Sequence, residues 1–237
     1  MDIKEHVQTV QTKIEAAALA AGRDPGEITL CAATKVQTDD TIRAAIAAGI
    51  RVCGENRVQE LTAHLAADAY AGARVHFIGH LQTNKVKQVV GKVDLIQSVD
   101  SQRLLRAIDA QADKLGVRQD ILLEVNIAGE ESKGGCPVEE LPALAELAGA
   151  LEHVRLRGLM AIPPISSGPG ANRPYFAAMR QLFVDMRGKM SDNQNDMDQL
   201  SMGMSGDFED AILEGATLVR VGTALFGPRP PMGTAAR

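Results

Sequence analysis

Apolar positions along this chain switch repeatedly between a helical rhythm and short, nearly continuous runs. Ile3, Val7, Val10 and Ile14 repeat at helical spacing and lead through alanines to Gly22, predicting an amphipathic N-terminal helix that packs outside the first strand. Residues 28–35 form an apolar run ending on a single lysine, Lys35, which reads as a buried strand. A helical face of Ile42, Ala45 and Ile46 follows from Thr38 or Asp39 and closes at Gly49. Residues 50–54 predict a second strand, and Glu55, Asn56 and Arg57 open a helix carried by Val58, Leu61 and Leu65. Strands at 75–79 and 93–98 enclose a helix through Asn84, Val86 and Val89.

Leu104, Leu105 and Ile108 mark the next helix. The fifth strand, 121–127, hardly alternates, as expected for a sheet covered by helices. A polar, glycine-rich loop at 129–135 leads into a helix with Leu141, Leu144, Leu147 and Leu151, then into a strand at 154–161. Residues 163–173 are too rich in serine, glycine and proline for a regular element and predict a long loop. The stripe Phe176, Met179, Leu182, Phe183 and Met186 reads as core packing. A short strand at 199–202, a short helix at 207–214, a strand at 216–221 and a Pro/Gly-rich tail from Gly227 complete the pattern. Eight strands alternating with helices, without a break in composition, predict a single (β/α)8 TIM barrel with an extra N-terminal helix. The expected domain spans 1–237, with its core at about 28–227. An open doubly wound sheet is the alternative, but no strand, glycine-rich turn and helix fingerprint near the N-terminus supports it.

The 237 residues are 45% hydrophobic and 23% charged, ordinary for a soluble globular protein. A formal charge of −5 and the lack of a basic tract argue against a nucleic-acid partner. No run is long and apolar enough to span a bilayer, and the first five residues lack a signal-peptide layout, so the expected location is the cytoplasm, without membrane attachment. Cys31 and Cys53 fall inside predicted strands and read as small core residues; with Cys136 they make no metal-ligand spacing. His76 and His80 straddle a strand end and a glycine with no third ligand in view, so no metal site is expected.

Candidate chemistry gathers at strand ends. Ligands in barrels of this kind sit at the carboxyl ends of the strands, where Lys35 stands; the plainer reading is a solvated strand-end lysine. Ser205 and Gly206 follow strand seven, and Gly222 and Thr223 follow strand eight, where small residues let backbone N–H groups approach a phosphate. The plainer reading is that they only turn the chain. In a closed barrel strand eight pairs with strand one, so Lys35 neighbours this cradle and Arg220 points into the same mouth. An amine beside a phosphate cup suggests a phosphorylated aldehyde held as a Schiff base, with pyridoxal 5'-phosphate the obvious candidate. Asn56 and Asn84 either face the ring of such a ligand or serve as ordinary helix caps. Met160 and Ser201 are expected to line the ring pocket as packing groups.

Lys35, the runs Gly54-Glu55-Asn56-Arg57-Val58-Gln59-Glu60 and His76-Phe77-Ile78-Gly79-His80-Leu81-Gln82-Thr83-Asn84-Lys85, the segment Ser201-Met202-Gly203-Met204-Ser205-Gly206-Asp207 and the run Arg220-Val221-Gly222-Thr223-Ala224-Leu225-Phe226-Gly227 together resemble the YggS/PROSC family of pyridoxal phosphate homeostasis proteins. The match covers nearly the whole chain in order. That family is similar to the N-terminal barrel of bacterial alanine racemase and to the fold-type III decarboxylases. The resemblance implies that Lys35 forms the internal aldimine, that Ser205, Gly206, Gly222 and Thr223 hold the phosphate, and that Arg220 faces the pyridine nitrogen. Val36-Gln37 after the lysine, and Cys136 after the two glycines, depart from the family pattern and bear on local loop shape.

A racemase also needs acid/base groups on both faces of the substrate carbon. In the resembling racemases the second base is a tyrosine from a C-terminal β domain of the partner subunit, whereas this chain ends soon after strand eight and holds only Tyr70 and Tyr175. The expectation is therefore a non-catalytic carrier of the cofactor in intracellular pyridoxal phosphate homeostasis. It would be a monomer that meets free amino acids and apo-enzymes needing the cofactor. The alternative is a small racemase or decarboxylase of amino acids; a Schiff-base aldolase leaves the phosphate loops and Arg220 unexplained.

Overall fold

Eight short strands close on themselves in chain order, all parallel: β1 Thr29–Ala33, β2 Val52–Glu55, β3 Arg74–Phe77, β4 Leu95–Val99, β5 Gln119–Glu124, β6 Val154–Met160, β7 Gln199–Ser201 and β8 Leu218–Val221. The computed structural model describes residues 2–130, 133–189 and 197–228. The α-helices are α1 Ile3–Ala20, α2 Asp39–Ala47, α3 Val58–Ala66, α4 Gln102–Leu115, α5 Leu141–Ala150, α6 Arg173–Lys189, α7 Phe208–Leu213 and α8 Thr223–Phe226. Closure is made by β8 against β1, which sets Cys31 opposite Arg220. The expected barrel is the observed one.

Successive strand residues face opposite ways, and here the two sets differ in kind. Outward residues such as Ala32, Cys53, Phe77, Ile96, Leu123 and Val219 belong to the large core between strands and helices. Inward residues Cys31, Val52, Leu95, Leu122, Met160 and Leu218 come from six strands and meet in a separate small cluster that plugs the barrel. Two residues further along, at the same parity, stand Gln97, Glu124 and Arg220. Inward polar groups also stand within the plug's own layer, where Ser201 pairs in register with Leu218 and His76 with Leu95.

Glycine makes two close approaches possible. A Cβ on Gly54 would lie 2.6 Å from Cys31 Sγ, and one on Gly158, whose φ is 151°, would lie 1.7 Å from Gln199 O. Both let neighbouring strands meet inside a narrow barrel.

Several boundaries differ from the sequence reading. Thr83–Gln88 is a 3-10 helix and not an α-helix, closed by bonds such as Lys85 N to Gln82 O and Val89 N to Val86 O. Val86, Val89 and Val90 all need burial, and three β-branched residues in one short link disfavour α-helix. Helix α3 begins at Val58, because Glu55 ends β2 and its carboxylate accepts the N–H groups of Asn56 and Arg57. Helix α1 packs chiefly on α7, α8 and α2, covering the seam where the barrel closes. The expected tail lies outside the described residues beyond Pro228, as do Glu131 and Ser132 of the 129–135 loop. Among the described residues no helix is long and apolar enough to cross a membrane.

Candidate functional site

The carboxyl ends of the strands surround a cavity of about 500 Å³. Lys35 reaches it from a turn just beyond β1. Thr34 N–H donates to Gly54 O at 2.9 Å and Gln37 N–H donates to Thr34 O at 3.1 Å, so Lys35 and Val36 occupy the two central positions of the turn. Val36 takes a φ of 58°. A β-branched residue there is a genuine backbone outlier, at a cost of about 1–3 kcal/mol.

Beneath this turn lies Glu55, which is fully buried. Its Oε1 accepts Asn56 N–H at 2.7 Å and Arg57 N–H at 3.3 Å; its Oε2 accepts the Thr34 hydroxyl at 3.3 Å and the Tyr70 hydroxyl at 3.4 Å. Burial pushes the Glu55 carboxyl above its ordinary range, and the Asn56 N–H opposes that shift. One carboxylate thus ties the residue before Lys35 to the loop that carries Asn56. Gly79 lets the next loop lie against the same segment, since a Cβ there would fall 2.1 Å from Asn56 O.

Arg220 enters from the β8 side and is nearly inaccessible. Its Nη2 donates to Ala161 O at 2.9 Å and its Nη1 donates to Ser201 Oγ. Ser201 passes a hydrogen bond of 2.6 Å to Gln97 Oε1, and Gln97 Nε2 reaches His76 Nδ1 at 2.9 Å. Burial lowers the Arg220 pKa from its ordinary value, while Cys31, Glu124 and Asp207 oppose the shift. Guanidinium stays protonated at any physiological pH, so the cavity carries a fixed positive charge.

The loops after β7 and β8 are joined by one hydroxyl. Ser205 Oγ accepts Gly222 N–H at 3.0 Å and Ala224 N–H at 3.3 Å. Asp207 holds the first loop from below: its Oδ1 accepts Met204 N–H and its Oδ2 accepts Asn172 Nδ2–H, both at 2.7 Å. A Cβ on Gly206 would meet nothing within 4 Å, and one on Gly222 would touch only Ala33, at 3.5 Å or more. Small residues here leave open space above backbone donors.

Lys35, Asn56, Ser205, Gly206, Arg220, Gly222 and Thr223 therefore line one cavity. Met160 and Ser201, expected at its wall, lie in the layer below: Met160 packs in the apolar plug, and Ser201 is fully buried against Arg220 and Gln97. Ile162 and Met204, two and three residues further along, line the cavity in their place. Asn84 is exposed in the 3-10 segment and is not among the lining residues. Helix capping does not describe Asn56, which lies before the N-cap of α3; its Oδ1 is buried and, among the described residues, has no hydrogen-bond partner.

Sequence reasoning missed Glu124. It lines the cavity, is 6% exposed, and burial raises its pKa from 4.5 to about 7 against the opposing pull of Arg220. Its place two residues after Leu122 in β5 was the available signal, the same offset that sets Arg220 after Leu218.

The family described as the alanine racemase N-terminal domain matches residues 25–230. A pyridoxal phosphate homeostasis protein of Aquifex aeolicus is 44% identical over 229 residues, covering 97% of this chain and 99% of the relative. The protein of the same description from Pseudomonas aeruginosa is 42% identical over 96% of both chains. Among solved structures, PipY of Synechococcus elongatus with PLP bound superposes with a TM-score of 0.80 at 34% identity, covering 95% of this chain and all of PipY. An alanine racemase of Clostridium difficile shares the fold at a TM-score of 0.70 and 14% identity, and 57% of its length is covered.

Proposed function

We propose, from the premise that this chain belongs to the alanine racemase N-terminal domain family and within it to the pyridoxal phosphate homeostasis proteins, that it binds pyridoxal 5'-phosphate through Lys35 and carries it without substantial catalysis. The observation that carries this reading is the meeting of an amine, a buried guanidinium and two small-residue loops on one cavity, in a chain 34% identical to a protein with PLP bound.

The residues present fit the group. A cavity of about 500 Å³ suits a small cofactor. Asn56 Oδ1, buried and unpartnered, is an acceptor that a ligand donor would satisfy. Bound here, pyridoxal phosphate supplies an aldehyde that an amine attacks reversibly. Lys35 is the amine for that attachment. The Ser205, Gly206, Gly222 and Thr223 loops would hold the phosphate with the hydroxyls of Ser205 and Thr223 and backbone N–H groups of Ser205, Gly206 and Thr223, while Gly222, whose N–H donates to Ser205 Oγ, leaves the anion room. Arg220 would hold the ring nitrogen of the group, where a fixed cation would oppose protonation. The relatives' description as homeostasis proteins supports carriage over turnover.

The same reading takes residues 1–237 as one cofactor domain working in the cytoplasm as a monomer, free of nucleic acid and membrane. Free amino acids and apo-enzymes that need the cofactor are its recipients. Borohydride reduction of the protein with pyridoxal phosphate, followed by peptide mapping, is the test. A reduced adduct on Lys35, absent in Lys35→Ala, is expected; an adduct on another lysine, or none, overturns the assignment.

A further inference from the structure

Lys35 is fixed from both sides by carboxylates of the β2–α3 unit, and the second of these has no part in the site described so far. Val36 N–H donates to Glu60 Oε2 at 2.8 Å. The other oxygen, Oε1, takes Arg57 Nη1–H at 3.2 Å. Glu60 is the third residue of α3, where a glutamate ordinarily turns back to the N-cap amide. That amide, Arg57 N–H, already donates to Glu55 Oε1 at 3.3 Å. Glu60 is thereby released to reach across to the loop after β1.

Val36 needs such a hold. It sits third in the turn, where a positive φ ordinarily calls for glycine or asparagine. Val36 is 52% exposed, so packing does not offset the strain. Thr34 is anchored through its own N–H and hydroxyl to β2, and its carbonyl, in the peptide unit before Lys35, accepts Gln37 N–H at 3.1 Å. With Thr34 and the Val36 amide both held, the peptide units on either side of the Lys35 Cα are set, and with them the direction in which its side chain leaves the chain.

We propose that Glu60 is a positioning residue for Lys35, pinning Val36 in a left-handed conformation so that the lysine amine is aimed into the cavity. This rests on the carrier reading above for the identity of the aldehyde, and on geometry alone for the pin. Glu60 does not touch the ligand; it acts through the turn.

Two readouts separate the pin from the cofactor. In the ligand-free protein, amide exchange by NMR should show Val36 N–H protected in the wild type and unprotected in Glu60→Ala. In the presence of pyridoxal phosphate, borohydride labelling of Lys35 in Glu60→Ala should slow about tenfold, the usual scale for losing a group that orients a ligand residue. Asparagine tolerates positive φ without help, so Glu60→Ala combined with Val36→Asn should recover most of the labelling rate. Glu60→Gln, which still presents an acceptor oxygen, should fall between. Labelling of Glu60→Ala at the wild-type rate, or a double variant as slow as Glu60→Ala, overturns the proposal. If Glu60→Ala does not fold, Val36→Asn alone decides: a raised melting temperature supports stored strain at Val36, and a lowered one overturns it. Failure of the wild type to label at Lys35 would remove the carrier reading while leaving the exchange result to judge the pin.

Discussion

Ser201 accepts a hydrogen bond from Arg220 and passes one to Gln97, tying a guanidinium at the cavity to the centre of the barrel. The direction of each bond follows from the first. A guanidinium only donates, so the Ser201 hydroxyl gives its proton to Gln97 Oε1; Gln97 Nε2 then donates, and His76 accepts at Nδ1. His76 must be neutral with its proton on Nε2. Burial and the charge of Arg74 agree, lowering its pKa from 6.5 to about 3.

Breaking this chain at Ser201 should be costly. Ser201→Ala leaves Arg220 Nη1 and Gln97 Oε1 without their partner in a closed interior, a loss of about 1–3 kcal/mol. Urea unfolding measures it directly. Pyridoxal phosphate should also bind more weakly to Ser201→Ala, because Arg220 then keeps only its bond to Ala161 O; stability and affinity both equal to wild type would show that the chain has no energetic weight.

Glu124 makes stability depend on pH with a definite sign. Its folded pKa of about 7 lies above its ordinary 4.5, so the fold favours the protonated form. The contribution is present in full below pH 4.5 and is lost as pH rises through 7, to a total of about 3 kcal/mol by proton linkage. Glu124→Gln cannot ionise and escapes that loss. Compared by urea unfolding of the ligand-free proteins, the variant should gain on wild type steadily between pH 5 and pH 8; a constant difference would contradict the burial of a titrating acid.

If the loops after β7 and β8 cradle a phosphate as proposed, they give a strong preference among ligands. Pyridoxal phosphate should bind at least about tenfold more tightly than pyridoxal, since hydrogen bonds to charged groups contribute about 1.5–3 kcal/mol. Gly222→Leu should abolish that preference with little change in melting temperature, because a Cβ at Gly222 finds only ordinary contact with Ala33. Fluorescence titration with both ligands reads the two affinities. Equal affinity in the wild type would remove the cradle.

Carriage without turnover has its own signature. Incubated with L-amino acids in deuterated water, the protein loaded with pyridoxal phosphate should release cofactor to the amino acid while the α-position stays protonated. Mass spectrometry and chiral chromatography read the products. Repeated α-deuteration, D-isomer formation or release of carbon dioxide above a Lys35→Ala control would restore the racemase or decarboxylase reading.

The sequence by itself determined the barrel and the strand-end loops that line its cavity. Alternation between helical stripes and apolar runs is a property of short segments, so Ile42 with Ile46, or Leu122 with its neighbours, disclosed their elements locally. Lys35, Arg220, Ser205 and Gly222 were legible because each sits at a strand end, and closing the barrel brings strand ends together. Only the tertiary structure decided which layer each residue occupies. Strand parity and the register of the closed barrel put Met160 and Ser201 below the mouth and brought Glu124 up to it, and neither depends on the residue's own chemistry. The hold of Glu60 on Val36 joins positions 24 apart in sequence through one hydrogen bond, which no local pattern encodes. Spacing along the chain reveals what a segment will form; which side chains meet across the barrel follows from its closure and register.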